Sequence, residues 1–244
     1  MPVLDPLALM RANDSDLGLV TENVFGLRVV MVNLYGVRSA SGGWTLIDAG
    51  LPFSATRIRA WANEHFHTPP AAIVLTHGHF DHVGALRDLA DGWNVPIYAH
   101  PLEFPYLTGR SSYPPPDPTL GRGVMPMLSP LFPRGPIDVS DRLLPLPAEG
   151  WVPTLPGWRW IHTPGHTAGH VSLFRDEDRV LIAGDAFINT RQESFLAIMT
   201  QREEINGPPS YSPAIGMRRG NRWRDWPGSS LTSALRATVA ADRL

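Results

Sequence analysis

The chain has 244 residues, 43% hydrophobic and 18% charged, which suits one large domain and excludes a disordered, collagenous or coiled-coil chain. All 21 basic residues are arginine against 23 acids, a formal charge of −2, so there is no global basic field to hold nucleic acid. Cysteine is absent, which removes disulfides, thiolate catalysis and cysteine-based metal sites together.

The opening MPVLDPLALMRANDSD has no basic leader region, and Pro6 breaks its short apolar run. Nowhere do about 18 uncharged apolar residues follow one another. A cytoplasmic protein without membrane contact is expected. Residues 27–37 (LRVVMVNLYGV) are β-branched and apolar and read as a strand; residues 43–49 (GWTLIDA) read as a second after a Ser-Gly-Gly turn. Ser54 suits the N-cap of a helix to about Phe66, with Ile58, Trp61 and Ala62 at helical spacing, and Pro69-Pro70 stops it. Residues 72–75 form a short buried-type strand. The run from Asp81 (DHVGALRDLADG) reads as one helix with Val83, Leu86 and Leu89 inside and Gly92 at its exit. Residues 96–99 make another strand, and this β-α-β-α order implies a layered α/β architecture.

Residues 101–157 differ, holding 14 of the chain's 25 prolines among Tyr106, Tyr113, Met125, Met127 and Phe132. No regular element of length fits them, and a long irregular excursion of this kind reads as a surface crossing or a lid. Strands resume at 158–162, 170–174 and 179–182. No internal repeat of about 20–50 residues is present.

The stretch Thr76-His77-Gly78-His79-Phe80-Asp81-His82 carries the most chemistry. Chance places H-x-H-x-D-H in such a chain on the order of once in a thousand sequences. His77 and His79 leave a strand end facing the same way, Gly78 lets the backbone bend, and Asp81 falls at a helix N-terminus that favours its anion. Imidazoles and carboxylates at this density are ligands for zinc, iron or manganese. A second cluster, from His162 through His166 to His170, lies between two strands, and a third, Gly184-Asp185, ends another. His65 and His67 read as solvent-facing and His100 as a strand end. His170 is the strongest candidate among the remaining histidines for supporting a ligand without being one.

In this order and spacing the three segments resemble the metallo-β-lactamase superfamily, αββα metallohydrolases that include glyoxalase II and lactonases. The resemblance spans residues 20–212 of a single domain. It implies a four-layered αββα sandwich with one metal on His77, His79 and His166, a second on Asp81 and His82, and Asp185 bridging them. The family's early strand ending Asp-x-Gly corresponds to Asp48-Ala49-Gly50, with Asp48 supporting the site from behind. The activity implied is hydrolysis of an ester, lactone, thioester or amide of a small molecule by a metal-bound hydroxide, with Asp81 or Asp185 carrying the proton to the leaving group. Two Zn²⁺ are implied, with iron or manganese as alternatives. Residues 191–193 and 201–209 resemble a bacterial subgroup and either wall the pocket or form an ordinary charged helix.

The family's last histidine, from a Gly-His-Gly-type turn, has no counterpart, because no histidine follows His170. Residues 213–244 are atypical, and their Arg218, Arg219, Arg222 and Arg224 form no nucleic-acid motif. Arginine without lysine implies a GC-rich gene, and a shifted frame would put Ala and Leu across 217–227, suggesting that this tail is read out of frame. The competing functions are a metal-binding pseudo-enzyme lacking the final ligand and a mononuclear iron redox member, which three ligands with open positions would suit.

Overall fold

The computed structural model describes residues 14–115, 135, 137–186, 188–190 and 203–206. Seven strands form one mixed sheet in chain order. β1 (Ser15–Thr21), β2 (Val24–Val29), β3 (Val32–Arg38) and β4 (Trp44–Ile47) pair antiparallel in succession. β5 (Ala72–Val74), β6 (Ile97–Ala99) and β7 (Leu143–Pro145) then add in parallel. A second, antiparallel sheet orders β10 (Val180–Ile182), β9 (Val171–Arg175) and β8 (Trp158–His162). The helices are α1 (Ala55–Phe66), α2 (Phe80–Val83), α3 (Leu86–Trp93) and α4 (Phe104–Leu107).

The period-two alternation of the first sheet feeds two cores. Leu27, Leu34, Leu46, Ile73 and Ile97 point to one face and pack with Ile58, Trp61 and Ala62 of α1 and Leu86, Leu89 and Ala90 of α3. Val24, Val37, Ile47 and Val74 point to the other and meet Trp158, Val171, Leu173, Val180 and Ile182 of the second sheet. Full burial of each large aliphatic side chain is worth about 1.5–3 kcal/mol. Helices, mixed sheet and second sheet thus form three layers, and the second helical layer of the expected αββα order lies outside the described residues.

Several boundaries differ from the sequence reading. Residues 27–37 are not one strand: Val29 pairs with Val32 across a two-residue turn in which Val30 has φ 58°. A β-branched residue seldom adopts that region, and here the Asp14 carboxylate accepts the Val30 N–H at 2.9 Å. The single helix expected from Asp81 is two. The N–H groups of Gly84 and Ala85 reach back to Gly50 O (2.7 Å) and Ala49 O (3.3 Å) in the loop after β4, leaving the helical ladder. Gly92 lies inside α3, whose exit is the left-handed Asn94. Ser54 occupies the N-cap position of α1, but its hydroxyl donates to Leu51 O. β1 has no counterpart in the sequence reading.

The proline-rich region contains more order than expected, with a 3₁₀ turn at Pro101–Glu103, then α4 and β7. Met125, Met127 and Phe132 lie outside the described residues, as do 207–244 and therefore the atypical tail. β11 (Ile188–Thr190) pairs antiparallel with β12 (Glu203–Asn206), so a charged helix is excluded at 203–206. Among the described residues no helix is long and apolar enough to cross a membrane.

Candidate metal centre

The C-terminal ends of β4 and β5 meet the β8–β9 loop and the end of β10 at one edge of the two sheets. The sheets are sewn together there by Val171 N–H donating to Thr76 O at 2.9 Å. Asp48, at φ 62° as β4 ends, is the hub. Its Oδ1 accepts the Thr76 N–H at 2.8 Å, and its Oδ2 accepts both the Thr76 hydroxyl and His82 Nδ1 at 2.8 Å each.

These bonds dictate tautomers, because a carboxylate only accepts. His82 carries a proton on Nδ1 and turns Nε2 toward Asp185 Oδ1 at 3.4 Å and Asp81 Oδ2 at 3.9 Å. The Thr76 hydroxyl, having donated to Asp48, accepts from His77 Nδ1 at 3.1 Å. That leaves His77 Nε2 as a bare lone pair, buried and without a hydrogen-bond partner. A buried polar nitrogen left this way is costly unless something binds it.

His77, His79 and His166 bring one nitrogen each within 4.8 Å of the others, and so do one nitrogen each of His77 and His82 with an oxygen of Asp185 as a second trio. His79 Nδ1 stands 2.7 Å from His166 Nε2. Asp185 faces both groups, with Oδ2 3.3 Å from His166 Nε2 and Oδ1 on His82. Its backbone is held by His170, whose Nε2 accepts the Asp185 N–H at 3.0 Å. His170 Nδ1 then donates to Thr163 Oγ1 at 2.8 Å, Thr163 bonds Ser172 Oγ at 3.1 Å, and Ser172 donates to Ala183 O.

Burial holds four of the imidazoles, His77, His79, His166 and His170, in the neutral form, and His82 is the exception. Burial, then the surrounding histidines, lowers His77 well below its ordinary value. Burial and His166 bring His79 and His170 down to about 3, and burial lowers His166. Burial also resists a charge on His82, yet the carboxylates of Asp48, Asp185 and Asp81 raise it well above the usual range. Asp185 goes the other way: burial opposes its anion, but His82 and His166 hold it far below the carboxylate range. Burial raises Asp81, partly offset by His82.

All six residues singled out in the sequence converge here. Asp81 belongs to neither trio: its Oδ2 lies 3.9 Å from His82 Nε2, and its charge also acts on His79 and meets that of Asp185. Asp48 and His170 hydrogen-bond to His82 and to the backbone of Asp185 respectively. His65 does not face solvent freely: its Nε2 lies 2.6 Å from Asp16 Oδ2 and its ring packs against Phe25 and Trp61. His67 is exposed at the helix end. His100 and His162 stack with centroids 4.5 Å apart and belong to neither trio.

The sequence reading missed Glu103, a fully buried acid in the 3₁₀ turn. Its Oε2 accepts from Gly78 N at 3.0 Å and from the Tyr113 hydroxyl. Its Oε1 accepts from the Thr167 hydroxyl and Gly169 N, both at 2.7 Å. Tyr113 also packs its ring edge-on against His79, centroids 4.4 Å apart, and stacks on Tyr106. Burial and the adjacent Glu103 push the Tyr113 phenol well above its ordinary value, so it stays a donor. No spacing rule marks a lone glutamate among prolines; only its contacts reveal it.

A histidine-rich cluster able to hold metal at the rim of two packed sheets, with helices over the first, defines an α/β fold with a candidate metal centre. The chain belongs to the metallo-beta-lactamase superfamily, whose sequence model matches residues 27–224. Among its curated relatives, the probable metallo-hydrolase YflN of Bacillus subtilis (strain 168) is 47% identical over 194 residues, 78% of this chain and 74% of the relative. The probable metallo-hydrolase YybB of the same organism is 32% identical over 137 residues, 56% of this chain, and the match spans about half (54%) of that relative. Of solved structures, Rm3 metallo-beta-lactamase superposes with a TM-score of 0.54 at 24% identity, covering 72% of this chain and 64% of that one. That likeness bears on the fold alone.

Proposed function

We propose that the chain is a metal-dependent hydrolase that cleaves an ester, lactone, thioester or amide of a small molecule. The observation that carries the reading is His77 Nε2, buried without a hydrogen-bond partner where His79 and His166 converge on it. Three imidazoles held neutral by burial make a donor set that fits zinc, and also iron or manganese. His77, His79 and His166 would hold the first ion, and His82, Asp81 and the shared Asp185 a second. When bound, such a metal supplies Lewis acidity, lowering the pKa of a coordinated water to about 7 and polarising the scissile carbonyl.

The chain's own residues do the rest. Asp48 fixes the tautomers of His82 and, through Thr76, of His77. His170 fixes the backbone of Asp185. Asp81, part-exposed at its carboxyl beside His82, is the acid we assign to passing a proton to the leaving group. Its nearness to the trios supports a general acid–base role. A cytoplasmic location fits a protein acting on small molecules.

A second reading, one metal in the three-histidine site, draws support from the second trio's reuse of His77. Turnover of a lactone, thioester, ester and amide panel tests the function. Chelation should abolish turnover and zinc restore it, and Asp81→Ala should lower it about 100-fold or more. Turnover that survives complete metal removal contradicts the hydrolase reading, and unchanged turnover in Asp81→Ala contradicts the role of that acid.

A further inference from the structure

Glu103 takes no part in the donor sets, yet it is fully buried and meets four donors. A carboxylate offers about four acceptor sites, and all four partners donate, so the acceptor-only form fits the pocket completely. The partners belong to the two histidine-bearing loops and to the proline-rich excursion. Gly78 sits between His77 and His79; Thr167 and Gly169 sit between His166 and His170; Tyr113 comes from the excursion and covers His79. Both backbone donors are glycines for a reason: a Cβ on Gly78 would stand 2.6 Å from the Tyr113 hydroxyl, and one on Gly169 would stand 2.6 Å from Glu103 Oε1. Bare backbone is required on each side for the carboxylate to reach both.

We infer that Glu103 is a positioning residue that holds the His77–His79 loop against the His166–His170 loop, and through Tyr113 seats the excursion on His79. The 2.7 Å approach of His79 to His166 is thereby set from outside the donor set. Outer partners of this kind are commonly worth 10–100-fold in metal affinity. The consequence for metal binding rests on the hydrolase reading; the cause, a four-donor staple, rests on the hydrogen bonds alone.

Glu103→Gln tests it with little change of volume. The glutamine amide keeps one acceptor oxygen and turns an NH₂ toward two donors, so one loop loses its bond to residue 103, Gly78 keeping only its longer 3.2 Å bond to the Tyr113 hydroxyl if the NH₂ faces that side. Residue-resolved amide hydrogen exchange on metal-free protein should show Gly78 or Gly169 exchanging roughly tenfold faster or more, and zinc affinity by chelator competition should fall roughly 10–100-fold. Unchanged exchange at both amides overturns the proposal. If Glu103→Gln does not fold, Thr167→Val carries the test: Gly169 should exchange faster while Gly78 keeps its rate, and an unchanged Gly169 overturns it. A wild-type chain that takes up no zinc would instead overturn the hydrolase reading, with the exchange rates of the metal-free proteins still deciding Glu103.

Discussion

Asp48 shows how one side chain fixes several others. Its two oxygens accept three bonds, and the acceptor-only chemistry of a carboxylate then determines which nitrogen of His82 and, by relay through Thr76, of His77 is left to face the site. Asp48→Asn isolates this effect, because asparagine tolerates the left-handed backbone of this position and nearly matches the volume. The variant should fold with a near-native melting temperature but bind zinc about 10–100-fold more weakly by chelator competition; native affinity would mean the tautomers are set elsewhere. The candidate ligands His77, His79, Asp81 and His82 were legible in the sequence because H-x-H-x-D-H is a dense local pattern, whereas His166 and Asp185 were marked out by the family resemblance. Glu103 and Thr76 were not, because their roles come from partners distant in the chain: Glu103 bonds Gly169, and Thr76 bonds Asp48.

At the scale of elements, periodicity located most strands and both longer helices, and failed where tertiary bonds outbid local ones. The expected helix from Asp81 breaks because Gly84 and Ala85 donate to the loop after β4, a choice no periodicity records. That break also packs α2 tightly: a Cβ on Gly84 would collide with the backbone of Leu51 and Pro52. Since backbone cannot swing aside as a side chain can, Gly84→Ala should destabilise the fold by about 1–3 kcal/mol or more. Urea unfolding reads this directly, and an unshifted midpoint would show that the α2 junction is looser than the contacts imply. The hairpin at Val30-Met31 escaped detection for a related reason. It lacks the Asn or Gly that marks such turns, and the Asp14 carboxylate supports its strained valine from outside the hairpin.

Over the whole molecule, two sheets packed face to face bring four separate chain segments to one rim: Asp48, the 76–82 loop, the 163–170 loop and Asp185. The layered class could be read from the alternation of elements, and the pairing of the two sheets followed only from resemblance, since nothing local tells β5 that it will lie beside β9. The central claim is that this rim is a metal centre whose first ion depends on His166. Elemental analysis of protein purified without chelator tests it most directly, comparing the wild type with His166→Ala. About one to two zinc, iron or manganese ions per wild-type chain are expected, with loss of at least one in His166→Ala. A wild-type chain without metal, or a variant with undiminished content, would contradict it.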